Sequence, residues 1–215
     1  MARCLLCKGA MDSLPPRRED LPPSRPTWPA GALEARPEES FGVCFVVGGA
    51  VEGGATESVD LAGGGVRLTT RVAGRVARTS PESTTLVTRA GEVVLRHLLP
   101  VGIDLAPLSG RSVNVRVDHT LADDTTVDAR IWDDDGHLLL WARDGRLPDR
   151  EAPMSGAFLA IHGVDRPSRL VLTAGSRRLA ARAGDVRELE LAGGAFGLSV
   201  LRVERRAASF LLVSR

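Results

Sequence analysis

From residue 41 onward, apolar and polar residues alternate in short segments that are separated by turn residues. One segment places Val66, Leu68, Thr70 and Val72 in alternation with Arg67, Thr69 and Arg71. A period of two residues is typical of a β-strand that has one buried and one solvated face. The chain therefore favours strands over helices.

Similar segments recur along the rest of the chain. They occupy residues 41–47, 84–89, 113–118, 126–133, 137–142, 157–162, 169–173, 186–191, 196–203 and 209–214. Turn signals rich in Gly, Asp, Ser and Pro separate them at spacings of about 8–20 residues, near those of sandwiches and barrels. We predict an all-β fold, an antiparallel β-sandwich or barrel. Residues 92–99 are the predicted exception, a helix of two turns that ends at Pro100.

The division of the chain is less constrained than its fold class. Residues 1–40 hold seven of the 13 prolines and have almost no apolar periodicity, which predicts a disordered Pro-rich N-terminal arm. Residues 41–148 are predicted to form a β unit. Residues 149–215 form either a second small β unit packed on it or a continuation of the same sandwich. No signal peptide or membrane-spanning run is recognisable, so we expect a cytoplasmic location.

Composition narrows the function classes. The 28 basic and 27 acidic residues give a net charge of +1, so we expect no nucleic-acid partner. All basic residues but Lys8 are Arg, which we interpret as the signature of a GC-rich, bacterial genome. The 43% hydrophobic and 26% charged residues are typical of a soluble globular protein.

The cysteines do not form a complete metal site. Cys4 and Cys7 have the spacing of paired zinc ligands, but a tetrahedral site needs four ligands and Cys44 is the one remaining cysteine. We interpret Cys4 and Cys7 as incidental thiols and Cys44 as a small buried hydrophobe. The odd cysteine count favours a reducing compartment.

Aspartate is concentrated between residues 118 and 135. The seven residues are Asp118, Asp123, Asp124, Asp128, Asp133, Asp134 and Asp135. Carboxylates with neighbouring imidazoles can bind divalent cations, so Asp118, His119, Asp123 and Asp124 are candidate metal ligands. The EF-hand spacing is absent, however, and consecutive strand residues point to opposite faces.

The end of this acidic stretch predicts a β-hairpin. Asp134 and Asp135 are predicted to form a two-residue loop, with Asp133 paired to Gly136. This register would place Trp141 opposite Asp128. Trp132, His137 and Trp141 are candidate binding residues, because two aromatic rings and an imidazole can stack on a sugar or a base. The alternative is that one Trp fills the core and the other covers a hairpin edge. The apolar run at residues 138–141 predicts a strand that is buried on both faces.

No nucleophile or base constellation is complete, so we predict no catalytic residues and no cofactor. Residues 118–135 carry a net charge of −6 and residues 166–215 carry +6. Opposed charges of this kind favour head-to-tail association or pairing within one molecule. Our first hypothesis is a non-enzymatic β-rich interaction or assembly module that binds a protein partner or itself. The alternative is a metal-dependent hydrolase or carbohydrate-binding domain that uses residues 118–137, His137 included.

Overall fold

A computed structural model describes residues 44–48, 55–62, 64–98, 105–121, 126–147, 159–165, 169–174, 177–191 and 194–215. These residues form fourteen strands and a short 3-10 helix at Ala106–Leu108. The strands are β1 Cys44–Gly48, β2 Ala55–Asp60, β3 Val66–Ser80, β4 Ser83–Thr88, β5 Gly91–Leu98, β6 Ser112–Leu121, β7 Thr126–Asp133, β8 Leu138–Arg146, β9 Leu159–Asp165, β10 Arg169–Ala174, β11 Arg177–Ala181, β12 Val186–Leu191, β13 Gly194–Val203 and β14 Ala207–Ser214. The predicted all-β fold is confirmed.

The strands form two antiparallel sheets in a sandwich-like arrangement. The large sheet has eleven strands in the order β1-β5-β4-β3-β6-β7-β8-β14-β13-β12, with β2 paired to β3 as well. The small sheet has the order β11-β10-β9. Strands from both sides of residue 148 share the large sheet, because β8 pairs with β14. The division into units stays a prediction.

Two hydrophobic cores lie on opposite faces of the large sheet. The first core includes Val72, Leu86, Leu95, Val115 and Ile131, and the sheet curls until β1 approaches β6 and β7. The second core joins side chains of β8, β12, β13 and β14 to those of the small sheet. The sequence 138–142 of β8 is buried throughout, as a central strand requires.

One predicted element was wrong, and two strands were missed. The described residues of the predicted helix 92–99 are not helical: β5 pairs with β1 and β4, and Val93, Leu95 and His97 alternate as buried positions. Burial in this segment repeats every two residues, which is the period of a strand and not of a helix. Strands β2 and β11 were missed because neither segment alternates between apolar and polar residues.

Several predictions concern residues outside the described ranges. They include the N-terminal arm at 1–40, the Cys4 and Cys7 thiols, and the candidate ligands Asp123 and Asp124. Among the residues that the structure describes, no helix combines the length and apolarity needed to cross a membrane.

Candidate functional site

One face of the large sheet changes character along its width. Over β8, β12, β13 and β14 this face is apolar, and the small sheet packs on it to form the second core. Over β2, β3, β6 and β7 the same face is polar, since the apolar residues of β3, β6 and β7 turn to the first core. We call this polar region the open face. It consists of Glu57, Val59, Arg67, Thr69, Arg71, Ala73, Asn114, Arg116, Asp118, Thr120, Thr126, Asp128, Arg130 and Trp132.

An acidic row crosses the open face. Asp118 lies directly opposite Thr69 on β3 and opposite Asp128 on β7. The Oγ1 of Thr69 donates a hydrogen bond to Asp118 Oδ1. The Nε and Nη2 of Arg116 donate to the two carboxylate oxygens of Asp118 at 2.8 and 3.2 Å. This bidentate pair compensates the charge of a carboxylate whose side chain is 16% exposed.

Asp128 is the most enclosed charge of this row, with a side chain that is 7% exposed. Its Oδ1 accepts a hydrogen bond from Arg130 Nε at 2.8 Å, and its Oδ2 accepts one from Arg143 Nη1 at 2.7 Å. The indole Nε1 of Trp141 also donates to Oδ2, at 3.1 Å. Because two guanidinium groups and an indole satisfy this carboxylate, its burial does not leave an uncompensated charge.

An arginine row runs beside the acidic row. Arg71, Arg116 and Arg130 lie directly opposite one another on β3, β6 and β7. Trp141 follows on β8, where its ring centroid is 5.0 Å from the guanidinium carbon of Arg130. The Trp141 ring meets Phe210 edge-on in the second core, with 4.8 Å between centroids. The arginine row thus ends where the covered part of the face begins.

The β7–β8 hairpin differs from its prediction by one residue. The N–H of Asp133 bonds to the carbonyl of His137 at 3.0 Å, so the loop contains three residues rather than two. Gly136 has a φ of +82°, a conformation that glycine adopts without strain. Because of this longer loop and a register shift after Ile131, Trp141 lies opposite Arg130 instead of Asp128.

Asp133, Asp135 and His137 gather at this turn, with potential ligand atoms within 4.8 Å of one another. Asp133 Oδ1 accepts hydrogen bonds from the backbone N–H groups of Asp135 and His137 at 3.1 and 2.8 Å. Its Oδ2 lies 3.2 Å from His137 Nδ1. The hydrogen bonds of an Asx-type turn account for this arrangement.

The candidate ligands Asp118 and His119 are consecutive on β6 and face opposite sides of the sheet. Asp118 lies opposite Asp128 on the open face, whereas His119 lies opposite Val127 on the side of the first core. The metal site proposed from residues 118–124 stays a prediction, because Asp123 and Asp124 lie outside the described residues.

The three candidate binding residues lie in different environments. Trp132 is half-buried on the open face and packs against the second core. Trp141 is buried, and His137 is 51% exposed at the turn. Their binding role stays a prediction. The arginine row was missed, although Arg67, Arg71, Arg116 and Arg130 all occupy polar positions of predicted strands.

Two arginines of residues 166–215 are ion-paired with aspartates that lie outside the acidic stretch 118–135. Arg202 contacts Asp144 at 3.0 Å, and Arg187 contacts Asp185 at 3.0 Å. The backbone N–H of Arg182, with the charge of Arg187, holds the pKa of Asp185 below its ordinary value of 3.8. The aspartates of the acidic stretch are likewise divided, with Asp118 and Asp128 on the open face and Asp133 at the turn.

Comparisons with protein-family models, with curated proteins and with solved structures found no match.

Proposed function

We propose that the protein is a non-enzymatic interaction or assembly module that binds a protein partner, or another copy of itself, through the open face. The observation that carries this proposal is the contrast along one sheet face. The second core covers the apolar part, whereas Arg67, Arg71 and Asn114 are exposed on the polar part. A polar face of this kind favours association by charge and hydrogen bonding rather than by burial of a large apolar surface.

The ordered charges on this face support the proposal. Arg116 and Arg130 are held by Asp118 and Asp128 through two hydrogen bonds each. Binding groups that are fixed before association lose less conformational entropy when a partner arrives. The exposed Val59, at 44%, adds an apolar contact at the β2 side of the face.

A double variant of the open face, Arg67→Ala with Arg71→Ala, tests this function. The matched control is Arg177→Ala with Arg178→Ala on β11, which removes the same charge from another exposed strand. Of these four arginines, Arg71 contacts Glu57 at 3.4 Å. The other three have no ion pair within the described part of the chain. We expect proteins captured by the wild type and by the control to be lost from the open-face variant. If the protein assembles with itself, sedimentation at low and high salt should show assembly for the wild type and the control but not for the open-face variant.

Two results would contradict the proposal. One is recovery of the same proteins, in the same amounts, with all three forms. The other is loss of the same proteins from both double variants, since this would mean that total charge rather than the open face determines capture. A monomer at every salt concentration excludes the self-assembly form of the proposal.

A further inference from the structure

The arginine row of the open face brings like charges into direct opposition. Arg71, Arg116 and Arg130 occupy cross-strand positions on three adjacent strands. The Cβ atoms of such pairs are about 4.5–5.5 Å apart, and like charges at these positions destabilise a sheet. The sheet keeps the row because the neighbouring acidic row compensates part of its charge.

The pairing of these arginines with acidic residues becomes weaker from β7 towards β3. Arg130 and Arg116 are each paired with a partly or fully buried aspartate, whereas Arg71 contacts Glu57 at 3.4 Å. Both partners in this last pair are more than half exposed. Exposed ion pairs of this type contribute little to stability and exchange readily. Arg67, on the same face of β3, is exposed and is ion-paired to no residue in the described ranges.

The charge count of the face favours an anionic ligand of moderate charge density. Including Arg143, five arginines and three carboxylates give this region a net charge of +2. The acidic row lies directly beside the arginine row. Its aspartates would therefore repel a polyphosphate backbone, such as that of a nucleic acid, which carries a negative charge on every unit. Separate carboxylates can pair with Arg71 and Arg67 and avoid the acidic row.

Apolar side chains flank these arginines on two sides. Val59 lies opposite Arg67 on the β2 side, and half-buried Trp132 follows Arg130 by two residues on the β7 side. An extended peptide that alternates acidic and apolar residues would place carboxylates on the arginines and aliphatic groups beside Val59 or Trp132.

We propose that the open face binds an acidic, extended segment of a partner protein, whose carboxylates pair with Arg67, Arg71 and Arg116. This inference rests on the proposed function and names the partner chemistry for the same face. Arg116 and Arg130 supply oriented guanidinium groups, and Arg67 and Arg71 supply exposed ones.

Fluorescence anisotropy with the full chain and a labelled oligo-glutamate peptide of about ten residues tests the inference. We expect saturable binding that weakens between about 0.05 and 0.3 M NaCl. Arg67→Ala with Arg71→Ala should weaken binding about tenfold, whereas Arg177→Ala with Arg178→Ala should change it less than about twofold. Thermal unfolding checks that both double variants remain folded.

The inference is overturned if oligo-glutamate does not saturate, or if both double variants lose binding equally. It is also overturned if oligo-deoxythymidylate of equal length binds more tightly and depends on the same arginines, because the face would then recognise a polyphosphate. Competition separates this inference from the proposed function. If a partner captured through the open face is not displaced by oligo-glutamate, the acidic-segment inference fails and the proposed function stands.

Discussion

The covered and the open parts belong to one antiparallel, hydrogen-bonded sheet, but they differ in the side chains that they present on the same face. The covered part presents Phe196, Leu198, Phe210 and Leu212 to the small sheet. The open face presents arginines and aspartates in neighbouring rows. Residues at alternate positions thus decide whether a sheet receives a second layer.

The border between the two parts lies at Trp141. Its indole ring packs on Phe210, while its Nε1 atom donates to Asp128. A tryptophan suits this position because it joins a large apolar surface to one hydrogen-bond donor. The transition from an apolar core to a charged face therefore occurs within one side chain.

The largest expected effect comes from the covered part. Phe210→Ala should lower the free energy of unfolding by about 3–5 kcal/mol, because it leaves a cavity beside Trp141. Arg71→Ala, on the open face, should change it by less than about 0.5 kcal/mol. Urea denaturation measures both. Similar losses for the two variants would contradict the contrast between a covered and an open part.

The second prediction concerns the border. Asp128→Ala should cost about 3 kcal/mol of unfolding free energy, because Arg143 and the Trp141 N–H lose their shared acceptor. Asp118→Ala should cost less, since its side chain is 16% exposed compared with 7% for Asp128. The same denaturation experiment compares them, and an equal cost would show that the burial difference has no energetic consequence.

A smaller effect is expected at the hairpin turn that adjoins the open face. Asp133→Ala should lower stability by about 1 kcal/mol, because its carboxylate accepts hydrogen bonds from two backbone N–H groups. The control is Asp134→Ala, which lies in the exposed loop. Melting temperatures with and without divalent cations complete the test. A cation-dependent rise that disappears in Asp133→Ala would favour the metal alternative over a structural turn.

The smallest effect is confined to acid and concerns Asp185, in the turn that connects β11 of the small sheet to β12 of the large sheet. The pKa of Asp185 is lowered in the folded state, first by the Arg182 N–H and then by Arg187. Its ionised form therefore stabilises the fold above pH 3.8, and this contribution is lost as the pH falls through the lower folded pKa. Urea denaturation at about pH 5 and about pH 3 should show a smaller acid loss for Asp185→Asn than for the wild type. An unchanged acid loss would argue against this linkage.

Sequence patterns predicted individual strands more reliably than their contacts. β7 and β12 begin and end where their alternation predicts, because one buried face imposes a period of two. The loop at Gly136 was predicted one residue too short and the register shift after Ile131 was not predicted, so Trp141 was expected opposite Asp128 and lies opposite Arg130. A tight turn has several lengths compatible with the same Asp and Gly residues, and its hydrogen bonds select one.

The amino-acid sequence by itself determined the antiparallel all-β class, which residues of β3, β6 and β7 face inward, and the position of the β7–β8 turn. Only the tertiary structure decided that Arg71, Arg116 and Arg130 form one row and that Asp118 meets Asp128. Alternation is a local property that each strand carries by itself. Cross-strand register depends on which distant strands pair and on their loops, so the open face exists only once the sheet has assembled.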